Sequence, residues 1–154
     1  MKIGVVSDTH GLFRPELTEA LAGVARILHL GDVGAQSVLD ELGKIAPVTA
    51  VRGNVDREGS CAELPETEVV LLGGHYTYML HDLNTLHLDP AAGKFVTVFY
   101  GHTHVPRLFF KKEVLYFNPG SCGPRRFQLP VTVGLLTISD EGEFDANLIA
   151  IDCV

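Results

Sequence analysis

Short apolar runs in this chain repeatedly end on ionisable or amide side chains, and that repetition constrains the fold more than any other feature. Lys2-Ile3-Gly4-Val5-Val6 leads into Ser7-Asp8-Thr9-His10, and Ala25-Arg26-Ile27-Leu28-His29-Leu30 into Gly31-Asp32. Pro47-Val48-Thr49-Ala50-Val51 leads into Arg52-Gly53-Asn54, Tyr76 to Leu80 into His81, and Phe95 to Tyr100 into Gly101-His102-Thr103-His104. Runs this short, rich in β-branched and aromatic residues, read as buried strands. Open α/β sheets bind ligands beyond the carboxyl ends of their strands. The spacing therefore predicts one polar site built from the loops after five strands.

Between the first three runs lie two amphipathic stretches. Pro15 is placed to open a helix, with Leu17, Ala20, Leu21 and Val24 following at helical spacing; a second helix is expected over roughly 35–44, with Val38, Leu39 and Leu42 facing inward. Two β-α units leading into a third strand imply right-handed crossovers and a largely parallel start to the sheet. Hairpins follow: 67–72 with 76–80 around Gly73-Gly74, 108–111 with 114–117 turned at Lys112-Glu113, and 131–138 with 144–151 turned at Asp140-Glu141-Gly142. The stretch 83–94 predicts at most one short helix. With 154 residues and no repeat or linker, the chain is expected to form a single α/β domain spanning 1–154.

The net charge of −7 argues against a nucleic-acid polymer as partner, since phosphate backbones demand basic patches. The same charge, without basic-aromatic interleaving, disfavours a metal-dependent nuclease. No apolar run approaches the roughly 20 residues of a membrane span, and the N-terminus lacks a secretory apolar segment, so a cytoplasmic location is expected. Cys61, Cys122 and Cys153 are odd in number and widely spaced, which suggests neither a disulfide framework nor a zinc ribbon. Cys61 and Cys153 read as inert, and Cys122 as partly exposed. The sequence leaves a homo-oligomer open.

Seven side chains fall at the predicted strand ends: Asp8, His10, Asp32, Asn54, His81, His102 and His104. Oxygen and imidazole donors without thiolate suit Mn²⁺, Fe, Ni²⁺ or Zn²⁺ better than Ca²⁺ or Mg²⁺. Seven donors exceed what one tetrahedral ion takes, and suit two ions sharing a carboxylate. Two such ions roughly 3.5–4 Å apart stabilise both attacking and leaving oxygens of an in-line displacement, which is the chemistry of phosphoester hydrolysis.

Asp8-Thr9-His10, Gly31-Asp32, Gly53-Asn54-Val55-Asp56, His81 and Gly101-His102-Thr103-His104 resemble the five signature blocks of the calcineurin-like metallophosphoesterases. Asn118-Pro119-Gly120-Ser121 resembles a structural turn of that superfamily's small bacterial and archaeal phosphodiesterase branch. The resemblance implies a four-layer α-β-β-α sandwich of two mixed sheets with flanking helices. It implies that Asp8, His10 and His104 hold one divalent transition metal, that Asn54, His81 and His102 hold a second, and that Asp32 bridges them. Mn is foremost, with Ni, Fe, Co or Zn as alternatives. A metal-bridging hydroxide would be the nucleophile on a small phosphodiester, with Asn54, Asp32 and His102 the catalytic residues.

Two departures bear on this. Strong monoesterases of the family carry a histidine after the asparagine of the third block, where this chain has Val55; that implies a phosphodiesterase with weak phosphomonoesterase activity. Asp82 follows His81, which leaves His75 and His87 as rival ligands. An alternative function is the non-catalytic protein-binding scaffold that the same fold provides in the retromer complex; the complete ligand set favours the hydrolase. Among the remaining polar residues, His29 reads as a hydrogen-bonded core histidine and His87 as a surface residue. Arg125 is either solvated or close to the phosphate site. Asp56 either supports a ligating histidine or caps the following turn.

Overall fold

The computed structural model describes residues 1–151, so Cys153 lies outside the described residues. Twelve main elements follow one another: β1 (Lys2–Val6), α1 (Leu17–Ala20), β2 (Arg26–His29), α2 (Gln36–Gly43), β3 (Val48–Ala50), β4 (Thr67–Leu72), β5 (His75–Leu80), β6 (Thr97–Phe99), β7 (Arg107–Lys111), β8 (Val114–Asn118), β9 (Thr132–Ile138) and β10 (Phe144–Ala150). One sheet has the order β10-β9-β1-β2-β3, the other β4-β5-β6-β8-β7. In the first, β1, β2 and β3 run parallel, β9 is antiparallel to β1 and β10 is antiparallel to β9. In the second, β5, β6 and β8 run parallel between antiparallel β4 and β7. Both sheets are mixed, as the family resemblance implies, and the first begins parallel as its two β-α units predict.

Alternation along each strand sorts the layers. Ile3 and Val5 of β1 face the second sheet, meeting Leu28, Met79, Phe99 and Phe117 in a core between the sheets. Val6 and Ile27 face the other way and pack under Leu17, Leu21, Val38 and Leu42 of the helical layer. The outer face of the second sheet buries Leu80, Val98, Tyr100, Val114 and Tyr116 beneath Leu83, Leu86 and Ala91. Each fully buried Leu, Ile or Phe contributes about 1.5–3 kcal/mol, so every interface of the sandwich is apolar enough to hold.

One helical segment is shorter than its sequence periodicity suggests, while α2 lies within a residue of its expected bounds. Leu17, Leu21 and Val24 are all buried as expected, but α1 is a single turn and Gly23, at φ +81°, ends the helical path before β2. The fourth layer, the segment 83–94, contains one 3-10 turn, Leu83–Thr85. Among the described residues, no helix is long and apolar enough to cross a membrane.

Candidate metal centre

The loops after the parallel strands are bent by left-handed backbone. Asp8, His10, Asp32, His102 and His104 have φ of +57°, +46°, +54°, +74° and +64°. Non-glycine residues enter that region at a cost of order 1–3 kcal/mol each, so the surroundings must enforce it. Asp8 N donates to Gly31 O at 3.0 Å, His10 N to Asp32 O at 2.9 Å and Gly11 N to Val33 O at 2.8 Å, which lays the first loop along the second. Asp56 then accepts from the amides of Val33 (3.1 Å), Gly34 (3.0 Å) and Gly53 (2.8 Å), pinning the third loop to the second. It binds backbone amides of the second loop and of Gly53 before it, so it neither supports a ligating histidine nor caps the turn that follows it.

The His102–His104 loop is fixed from the second sheet. Gly101 N donates to His81 O at 3.0 Å, and Asn118 Nδ2 donates to Gly101 O at 3.2 Å and to Thr103 Oγ1 at 3.0 Å. Ser121 Oγ donates to Asp8 O at 2.9 Å, tying the Asn118–Ser121 turn to the first loop as well. Gly101 is required for space rather than for a special φ: a Cβ there would lie 2.1 Å from Ser7 Oγ and 2.8 Å from Asp8 Oδ2. The left-handed φ of this loop falls on the next residue, His102.

All seven expected side chains converge. Asp8, His10 and His104 form one compact group of donor atoms, and Asp32, His81 and His102 a second. In the first, His104 Nε2 lies 3.3 Å from His10 Nε2 and 3.3 Å from Asp8 Oδ1. In the second, Asn54 Oδ1 lies 3.0 Å from His81 Nε2 and 3.1 Å from His102 Nδ1. Asp32 Oδ2 stands between them, 3.7 Å from His10 Nε2 and 3.3 Å from His81 Nε2. Its other oxygen accepts from Val55 N at 3.0 Å.

This arrangement fits cations and is costly without them. Asp8 Oδ1 is buried with no hydrogen-bond partner; leaving such a group unsatisfied costs about 1–3 kcal/mol, more when it is charged. His81 Nδ1 donates to Leu30 O at 2.7 Å, so the neutral ring turns the lone pair of Nε2 toward Asp32 and Asn54. Burial opposes the Asp8 carboxylate, but His104, His81 and the Ser7 hydroxyl outweigh it and hold its pKa down. Against burial, His81 and the Val55 amide bring Asp32 down to about 2. His81 is raised despite burial, by Asp32 and Asp8. His10 is lowered by burial, Arg126 adding to the effect while Asp32 and Asp8 oppose it.

The rival histidines sit elsewhere. His75 packs edge-on against Phe144, with ring centroids 5.6 Å apart, and His87 is exposed. His29 is fully buried: its Nε2 pairs with Thr9 Oγ1 at 3.0 Å and its Nδ1 accepts from Gly31 N at 3.1 Å. Arg125 is exposed, and it is its neighbour Arg126 whose charge reaches His10. Cys122 is not partly exposed as expected but completely buried, its thiol pushed up to about 12 by burial. Sequence reasoning assigned no role to Ser7 or Thr9. Their positions flanking Asp8 were the available signal.

Fold and donors together define an α/β sandwich with two adjoining candidate metal centres at one end of its parallel strands. Residues 1–141 match the model of the calcineurin-like phosphoesterase superfamily domain, and the chain belongs to that family. A probable metallophosphoesterase of Methanocaldococcus jannaschii is 32% identical, the match covering 99% of this chain and 82% of the relative. The phosphodiesterase YfcE of Escherichia coli K12 is 31% identical over 88% of this chain and 87% of its own length. Among solved structures, vacuolar protein sorting 29 of Cryptosporidium parvum superposes with a TM-score of 0.77 at 20% identity, covering 99% of this chain and 98% of that one. That likeness is one of fold.

Proposed function

We propose that this single-domain chain is a two-metal phosphodiesterase for small phosphodiesters. Asp8, His10 and His104 hold one divalent ion, Asn54, His81 and His102 the other, and Asp32 bridges. The observation that carries this reading is the place of Asp32 Oδ2, within 3.7 Å of a histidine nitrogen from each group. Divalent transition metals, Mn²⁺ foremost, supply Lewis acidity and a water deprotonated near neutral pH. The chain's own residues position the ester. The Val55 amide fixes one oxygen of Asp32 so that the other faces both groups. Asn54 is exposed at the mouth, where its amide N–H can donate to a phosphoryl oxygen. His102 stands beside it with its side chain 40% exposed.

Val55, 44% exposed next to Asn54, has no proton to give a leaving group. A general acid typically supplies about 10²–10⁴-fold where the leaving group is basic. The chain should therefore favour acidic leaving groups and diesters over dianionic monoesters. A series of aryl esters of graded leaving-group pKa should give a steep dependence for the wild type. Val55→His should give a shallower one with gained monoesterase activity; a flat wild-type plot untouched by the substitution refutes this role for Val55. Elemental analysis should find two ions per chain, both weakened in Asp32→Ala; one tight ion indifferent to that change refutes the bridge. A second reading, a protein-binding scaffold, draws on the fold shared with vacuolar protein sorting 29 and on the exposed apolar residues Val69, Leu71 and Tyr76 of β4 and β5. Protein inert toward activated diesters with Mn²⁺, Ni²⁺, Co²⁺ and Zn²⁺ would favour it.

A further inference from the structure

On the outer face of the second sheet, the segment 83–91 and the β7–β8 hairpin enclose a cavity of about 370 Å³. Ligand pockets run from roughly 300 to 1,000 Å³, so this one suits a small molecule. Leu86, Ala91, Phe109 and Tyr116 line it, and Lys111 and Lys112 stand exposed at its rim. Its aromatic floor is firmly built: Phe109 stacks on Tyr116 with centroids 4.8 Å apart, and the Arg107 guanidinium lies 4.3 Å from the Phe109 ring centroid. The carboxylate beside it, Asp89, is engaged by its own turn, accepting from the amides of Ala91 (3.2 Å) and Ala92 (3.4 Å). Among the described residues neither lysine forms an ion pair, although the chain carries a net charge of −7.

An independent feature points to the same rim. Lys112 and Glu113, the two turn residues of the hairpin, have φ of +49° and +65°. Two-residue turns with positive φ at both positions favour Asn-Gly or similar pairs, because other side chains are strained there. The turn keeps that strain and places a lysine beside the recess, whose lining is apolar and polar in about equal part.

We propose that this cavity binds a small amphipathic anion, with an apolar body in the recess and one carboxylate, sulfonate or phosphate head between Lys111 and Lys112. A free small molecule fits better than a helix or a bilayer, because the recess is bounded and its walls are contributed by two narrow segments. Occupancy would not be isolated from the rest of the molecule. Leu83 lines this cavity, while Thr85 of the same 3-10 turn lines a hollow of about 240 Å³ shared with Asn54 and His81.

The probe is anilinonaphthalene sulfonate, an aryl anion whose fluorescence rises in apolar surroundings, displaced from the full chain by decanoate or by uncharged decan-1-ol. Decanoate should compete about tenfold better than decanol, the head group meeting two exposed ammonium groups. The double change Lys112→Asn with Glu113→Gly leaves net charge unaltered and relaxes the turn. It should raise the unfolding temperature by roughly a few degrees, yet weaken decanoate about threefold or more and leave decanol unchanged. Ala91→Trp, filling the recess, should abolish both. Equal competition by the two ligands, or decanoate affinity unchanged in the turn variant, overturns the proposal. So does tighter binding to anionic vesicles than to free decanoate. If Ala91→Trp fails to fold, the turn variant decides alone.

Discussion

Asp8, His10, Asp32, His102 and His104 combine two burdens, strained backbone and closely gathered polar atoms, in five residues. Nothing in the letters Asp or His announces a left-handed φ, and this part of the site was illegible in the sequence. What was legible was chemical type and position after an apolar run. His29 carries a related burden beneath the site. It is fully buried, and desolvation lowers its pKa to about 4 from an ordinary 6.5. Between those values the unfolded chain takes up a proton that the folded chain refuses. Stability is therefore full above the unfolded pKa and falls as pH drops through 6.5 toward 4, by about 3 kcal/mol. In chelator-treated protein, thermal unfolding from pH 7.5 to 4 should show a steeper fall for wild type than for His29→Gln. Equal slopes would mean that His29 does not titrate differently on folding. Asp8 and Asp32, also held low, add acid sensitivity in a lower window, below their ordinary 3.8, while His81, held high, favours the folded state as pH falls toward 6.5 from above.

Strands were read from the sequence more evenly than helices: α2 lies within a residue of its expected bounds, and α1 does not. Alternation fixes a strand through its own residues, and all ten strands lie where apolar runs or hairpin signals place them, with ends shifted by at most two residues. For α1 the periodicity was right about burial and wrong about length, because a turn followed by Gly23 buries Leu17, Leu21 and Val24 as well as three helical turns would. The β8 strand shows how an element serves the site without contributing a ligand. Its last residue, Asn118, holds the His102–His104 loop by donating to Gly101 O and Thr103 Oγ1, and its Oδ1 accepts from Gly120 N at 2.9 Å. Asn118→Ala should leave the circular dichroism spectrum intact and weaken metal binding about 10–100-fold, the usual cost of losing an outer support. Titration with a chelator of known affinity measures it; unchanged affinity would mean that the loop is held by its other contacts alone.

At the scale of the molecule, two sheets meet through an apolar core and through the donor groups at one end. An ion bound only by the folded state at 1,000 times its Kd stabilises it by about 4 kcal/mol. Removing both ions should thus lower the unfolding temperature by roughly 10 °C or more for a chain of this size. Calorimetry of chelated and reloaded protein checks this, and coincident transitions would count against the proposed centre. The donors divide by sheet: Asp8, His10, Asp32 and Asn54 follow β1, β2 and β3, while His81, His102 and His104 follow β5 and β6. Cut in the stretch 55–66, the chain would yield two pieces, neither carrying a whole donor group. The long piece would keep β9 and β10, whose place beside β1 leaves the short piece a docking strand. With the proposed centre in place, reassembly of such halves would answer to the concentration of free metal, and the polypeptide would behave as a metal-gated heterodimer written as one chain.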